Sequence, residues 1–187
     1  MKRNMYEWVD SLKTTAPKKT TPVLSFPAVQ LMGVTVRDLI SSSALQARGM
    51  ELVAQRVPSG ASVSLMDLSV EAECFGSQIR FTDDEVPTVV GSILSDEAAA
   101  EALTIPPIGA GRTRIYIEAI EKACTRITDR PVLAGVIGPF SLAGRLLDVT
   151  EAMVYCYSEP DMVHTVLEKA TSFLIDYIKA YKAVGAH

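Results

Sequence analysis

The sequence predicts an α/β protein in which parallel strands are covered by outer helices. Three observations predict it. Short apolar runs at Val23–Phe26, Val63–Met66 and Val132–Ile137 have the length of buried strands. Long connections with helical spacing separate them. The order is one helix followed by three β-then-α repeats, and strands joined by helical crossovers lie parallel with right-handed connections.

Each element has its own signal. Met5, Trp8, Val9 and Leu12 fall at i, i+3, i+4 and i+7, one face of an N-terminal helix. The polar stretch TTAPKKTTP is a loop, and Val23–Phe26, closed by Pro27, reads as the first strand. Thr35 with Asp38 three residues on is a helix start. A second helical stretch runs from Ser43 to Val57 and stops at Pro58-Ser59-Gly60. Val63–Met66 is the second strand and runs directly into Asp67. Ser77–Phe81 alternates as a small extra strand, and Asp96–Ala102 reads as a short helix capped by Ser95. Ile115, Ala119, Ile120, Ala123 and Ile127 mark a helix over 113–128, ended by Pro131. Val132–Ile137 is the clearest strand, with Gly138-Pro139 after it. Short helical pieces follow near Ser141–Leu147 and from Thr150. Asp161–Val184 is a long amphipathic helix. Its stripe runs from Met162 through Phe173 and Tyr177 to Ile178 and Tyr181, and Gly185 is its C′ residue.

Composition narrows the function classes. The chain has 187 residues, 48% of them hydrophobic and 21% charged, which excludes a disordered protein and suits one domain over 1–187. A net charge of −4 argues against nucleic acid as a partner. No apolar stretch has the length of a membrane span, and MKRNMYEWVD has no apolar segment behind its basic pair. Cys74, Cys124 and Cys156 form no disulfide framework, which fits a cytoplasmic setting. After the last helix a β/α chain should continue with a strand. The 187 residues are therefore expected to be the N-terminal portion of a longer chain.

Two segments carry a family resemblance. The first is Met66-Asp67-Leu68-Ser69-Val70-Glu71-Ala72-Glu73-Cys74-Phe75-Gly76, and the second runs from Gly135 to Gly144 as GVIGPFSLAG. In their order and separation they resemble the uroporphyrinogen decarboxylase superfamily. The GPFSLAG form is more similar to its corrinoid-dependent methyltransferase branch, the methylcobalamin:coenzyme M methyltransferases. The resemblance implies a partial (β/α)8 TIM barrel, its N-terminal half, with ligand groups at the C-terminal ends of the strands. It also implies methyl transfer from a methylated corrinoid, carried by a partner protein, to a small thiol such as coenzyme M. In that branch zinc holds the thiol as thiolate, on a His-x-Cys pair and a distant Cys. This sequence has no His-x-Cys, so the zinc ligands are expected beyond it. Half a barrel leaves strand edges open, which implies self-association.

Two departures count against decarboxylase chemistry on a tetrapyrrole, the alternative within the superfamily. The decarboxylases hold substrate carboxylates with an Arg-rich segment after the first strand. Here that segment reads Phe26-Pro27-Ala28-Val29-Gln30, and Arg145 stands where they carry a Tyr. A non-catalytic corrinoid-protein-binding module is the alternative from another class. The Asp-x-His-x-x-Gly of a cobalt-binding module is absent.

The candidate substrate-binding residues are Asp67, Gly138, Pro139 and Arg145. Asp67 matches the Asp that binds pyrrole nitrogens in the decarboxylases, and its plain reading is a cap after a strand. Gly138-Pro139 lets a backbone approach a ligand, or is a simple turn. Arg145 faces an anionic group, or is solvated or paired with Asp148. Gly109-Ala110-Gly111-Arg112 mimics a phosphate loop but lacks the strand before it and the third Gly, so it reads as the start of a helix. Glu71 and Glu73 lie two apart and read as a solvated pair on different helix faces. His164 reads as a surface or half-buried structural residue, and the three cysteines as buried free thiols.

Overall fold

The computed structural model describes residues 3–187 and divides into two compact units. The first comprises residues 3–66, 115–135 and 180–187, and the second residues 67–114 and 136–179.

The first unit begins with α1 (Met5–Thr14), capped by the Asn4 side chain, which accepts from the backbone N–H groups of Tyr6 and Glu7. α2 (Ala28–Met32) follows, then α3 (Val36–Ser41) and α4 (Ser43–Arg56). Thr35 and Asp38 form the capping box their spacing predicts, each side chain accepting the other's backbone N–H. β1 (Ser62–Val63) comes next, and α4 packs against α2, α3 and β1. α7 (Thr113–Arg126) and β4 (Val132–Leu133) complete the unit's regular elements. Leu39, Ile40, Ala47, Met50, Ile120 and Val132 form its core.

β1 and β4 pair in parallel, Ser62 with Val132 and Val63 with Leu133, as the alternating pattern requires. The pairing is shorter than the apolar runs. Ser62 N–H donates to Pro131 and Ser64 N–H to Leu133, but Gly135 N–H turns to the Ser64 hydroxyl at 2.9 Å, which ends the ladder. On the other edge of β4, Val132 exchanges bonds with His187: its carbonyl accepts from the His187 N–H and its N–H donates to Nδ1.

Val23–Phe26 is not a strand. Residues 25–27 are a turn into α2, in which Val29 and Gln30 donate back to the Phe26 and Pro27 carbonyls. Pro22 and Pro27 bracket the run and remove ladder donors, and Val23 is exposed. Among the described residues the parallel sheet therefore has two strands, and no barrel is formed.

The second unit holds α5 (Val70–Cys74), β2 (Gln78–Arg80), β3 (Thr88–Val90), α6 (Glu97–Ala102), α8 (Pro139–Leu147), α9 (Val149–Ser158) and most of α10 (Pro160–Ala183). β2 lies inside the predicted extra strand and pairs antiparallel with β3, which the sequence did not signal because Pro87 stands directly before it. α6 is capped by Asp96, whose carboxylate accepts from Ala99 N–H, rather than by Ser95. α8 starts at Pro139, two residues before the predicted start, because a proline suits the first helical position. α5 packs on α8, and α8 on α9. Val70, Phe75, Leu142, Leu146, Met162, Val166, Phe173 and Tyr177 form the core, with Phe75 and Phe173 edge to face at 5.2 Å.

α10 follows the predicted stripe, except that Leu167 is only part-buried and Ile178 is half exposed beside the fully buried Tyr177. Its end is a complete Schellman motif: Gly185 N–H donates to the Lys182 carbonyl and Ala186 N–H to Tyr181, with Gly185 at φ +106°. No helix of the described residues is long and apolar enough to cross a membrane.

Candidate ligand-binding site

The chain leaves β1 and reaches Asp67 at the start of the second unit. The Ser69 backbone N–H and hydroxyl both donate to Asp67 Oδ1, at 3.0 and 2.6 Å, a turn that fixes the carboxylate before α5 begins. The cap role read from the sequence is thus filled, and the second oxygen has its own partner. Arg112 Nη1 donates to Asp67 Oδ2, Nε to Glu73 Oε2 at 2.6 Å, and Nη2 to the Ser69 hydroxyl at 2.8 Å. The Asp67 side chain is fully buried and that of Arg112 nearly so. The guanidinium carbon lies 4.9 Å from the centroid of the Phe81 ring.

Arg112 is the residue that reading the sequence missed. Its GAGR segment does open a helix, but the loop's purpose is to deliver this side chain. Gly109 and Gly111 adopt φ +97° and +51°, conformations a side chain would strain. Thr113 ties the loop, accepting from Gly109 N–H at 3.1 Å and donating to the Ala110 carbonyl at 2.5 Å. The available signal was charge: a cation directly after the second of two glycines, and three acids in DLSVEAE with no nearby base.

The Glu71 and Glu73 side chains do part to different faces of α5, but they are not a solvated pair. Glu73 joins Arg112, while Glu71 is only 3% exposed. Glu71 Oε1 accepts from Ile137 N–H at 3.1 Å, and Oε2 has no hydrogen-bond partner. Burial pushes the Glu71 carboxyl above the ordinary range. The Ile137 N–H opposes that rise, the Asp67 charge reinforces it, and Arg145 opposes it.

Arg145 is half-buried on α8 and donates to the Ser141 carbonyl at 3.0 Å. Its charge is felt by Glu71 and Asp67 rather than by Asp148, which caps α9 through the Thr150 and Glu151 N–H groups. Gly138 and Pro139 are exposed at the start of α8, directly after Ile137. The structure therefore brings Asp67, Arg145 and the Gly138-Pro139 turn to one neighbourhood, with Glu71 as the link.

The thiols differ from expectation: Cys156 is exposed, and Cys74 and Cys124 are half-buried. Burial pushes the Cys74 thiol up, and it donates to the Ala110 carbonyl. His164 is exposed. Among the described residues no group of three or more His, Cys, Asp or Glu side chains is placed to hold a metal ion. The donor set of the second unit also does not suit zinc, because Asp67 and Glu73 are taken by Arg112.

The chain is similar to known proteins of two activities. The chain is 27% identical over 124 residues to the methylated-thiol–coenzyme M methyltransferase of Methanosarcina mazei, which covers 65% of this chain and 33% of the relative. It is 29% identical over 140 residues to the uroporphyrinogen decarboxylase of Dichelobacter nodosus, covering 71% and 39%. A solved methyltransferase structure from Methanosarcina mazei matches with a TM-score of 0.81 at 22% identity, over 92% of this chain and 53% of that one, and so shares the fold. The chain spans about half the length of that structure and 33–39% of the two curated relatives. Relatives of both activities occur, with no decisive preference between them. The family model described as uroporphyrinogen decarboxylase (URO-D) matches residues 16–187, and the chain belongs to that family.

Proposed function

We propose that the protein carrying this chain is a corrinoid-dependent methyltransferase that moves a methyl group from a methylated corrinoid protein to a small thiol such as coenzyme M. One observation carries the choice over tetrapyrrole decarboxylation. Asp67 has both oxygens engaged, one by Ser69 and one by the buried Arg112. A carboxylate that must accept pyrrole N–H groups has to be available, and freeing this one leaves a buried guanidinium without its partner. The segment Phe26–Gln30 offers no cation for an octa-acid substrate. Relatives named as methylcobamide:CoM methyltransferases, from Methanosarcina acetivorans and Methanosarcina barkeri, support the same reading.

In this reading the thiolate sulfur bonds to the methyl carbon. The cobalt–carbon bond breaks with its electron pair left on cobalt, and the thiol proton goes to solvent. The chain's contribution is substrate binding. Asp67 acts through Arg112 as a positioning residue, and Gly138, Pro139 and Arg145 line the approach. The residues present do not fit the zinc of this branch, so its ligands are assigned outside residues 1–187 and no step here passes through it. We assign the protein to the cytoplasm and treat 1–187 as one portion of a uroporphyrinogen decarboxylase-like barrel.

The test uses the whole protein with methylcob(III)alamin and coenzyme M. Loss of the methyl-cobalt absorbance with formation of the methyl thioether is the expected result. Decarboxylation of uroporphyrinogen without thiol methylation overturns the reading, and so does the absence of both reactions.

A further inference from the structure

Glu71 holds an oxygen that the fold leaves unexplained. Its carboxyl is 3% exposed, and Oε2 has no partner. A buried polar atom without a hydrogen bond is costly and rare in a native protein. The Arg112 cluster does not use Glu71, because α5 turns Glu73 toward that cluster and Glu71 away from it. Instead Oε1 is anchored on Ile137 N–H, immediately before α8.

The start of α8 supplies donors. The helix has nine residues and no side-chain cap at Gly138, so its first-turn N–H groups lack intrahelical partners. A helix N-terminus attracts negative charge. Arg145, on the same helix, is half-buried and gives one N–H to the Ser141 carbonyl. The Asp67 charge nearby is offset by Arg112.

We propose that Glu71, Arg145 and the first turn of α8 make a subsite for a compact oxyanion: a sulfonate, carboxylate or phosphate. The acid O–H donates to the anion, which fills the vacant hydrogen bond of Oε2. The guanidinium and the backbone N–H groups share the charge. Burial pushes the Glu71 carboxyl above its ordinary value and the Asp67 charge adds to that, while the Ile137 N–H, the Glu71 backbone N–H and Arg145 act the other way. Cys74 also feels Glu71, while Arg112 bonds Asp67 directly and Glu73 stands beyond Arg112. Ionised Glu71 repels the anion, so affinity falls as pH rises. The inference rests on the methyl-transfer reading for the identity of the substrate, whose anionic end would sit here. Binding is measured without turnover.

The test titrates ethanesulfonate into the whole protein by calorimetry from about pH 4 to about pH 9, a range that runs upward from the ordinary glutamate value while the sulfonate stays ionised. In the parent protein affinity should fall by about tenfold or more across the range. Glu71→Gln should bind at every pH without that slope, because its amide N–H donates throughout. Glu71→Leu and Arg145→Gln should each lose about tenfold or more, and the surface change Lys179→Ala should lose nothing. Propionate and phosphate, run alongside, tell which oxyanion is preferred. Binding of none of the three overturns the subsite, as does a slope that persists in Glu71→Gln. If Glu71→Leu does not fold, the Glu71→Gln slope alone decides. Anion binding without methyl transfer sinks the functional reading and keeps the subsite. Methyl transfer without anion binding does the reverse.

Discussion

Replacing Arg112 by Met tests the buried ion pair at the centre of the second unit. The substitution keeps most of the side chain's length and apolar stem but removes three donors. These are the bonds to Asp67, to Glu73 at 2.6 Å and to Ser69 at 2.8 Å. Asp67 is then the problem. Its side chain has no exposed surface, so its carboxylate loses its ion-pair partner where solvent does not reach it. Removing one partner of a buried pair typically costs about 3–5 kcal/mol. The stacking on Phe81 at 4.9 Å adds about 0.5–1 kcal/mol. Glu73 softens the loss, because its side chain is a quarter exposed and can rehydrate. The expected destabilisation is about 3 kcal/mol, read as a lowered urea midpoint at unchanged slope. Adding Asp67→Asn should recover about 1–3 kcal/mol, because the second change removes the stranded charge. A loss below about 1 kcal/mol, or strictly additive single changes, would falsify the claim that Arg112 neutralises Asp67.

Three further outcomes follow from other parts of the structure. Glu71 is held above its ordinary value near 4.5, so its contribution to stability is fully present below that value and is lost as pH rises through the folded one. Glu71→Gln should therefore gain on the parent in urea midpoint with rising pH; a difference that stays flat across pH refutes the buried-acid assignment. Gly185→Ala should cost about 1 kcal/mol, because φ +106° strains a side chain while the added Cβ meets Cys124 only at an ordinary 3.6 Å; an unchanged midpoint means the Schellman end of α10 is not formed. α9 exposes Val149, Met153, Val154 and Tyr157, so light scattering of the 187-residue chain should show self-association that Met153→Lys with Tyr157→Lys reduces; a parent chain that stays monomeric on concentration removes that expectation.

The sequence by itself determined the local features. Apolar spacing located α7 and α10, and a two-residue chemistry, Thr35 with Asp38, placed the start of α3. Parallel pairing of the second and third runs followed from the helical connections between them. These features depend on residues within one or two turns of each other, or on a connection long enough to allow one topology. Asp67 and Arg145 were named as candidates through the family resemblance, since a carboxylate after a strand and a cation on a helix have plain readings of their own.

Tertiary structure decided the rest. Val23–Phe26 has a strand's composition, but its flanking prolines left it no ladder, and its end became a turn into α2. Glu71 and Glu73 are alike in sequence. One became a buried acid on Ile137 and the other an ion-pair partner, because the face of α5 toward each was set by segments 39 to 66 residues away. Arg112 was unreadable for the same reason. Its three partners, Asp67, Ser69 and Glu73, lie 39 to 45 residues earlier, and no local pattern records a pairing that only long-range burial makes favourable.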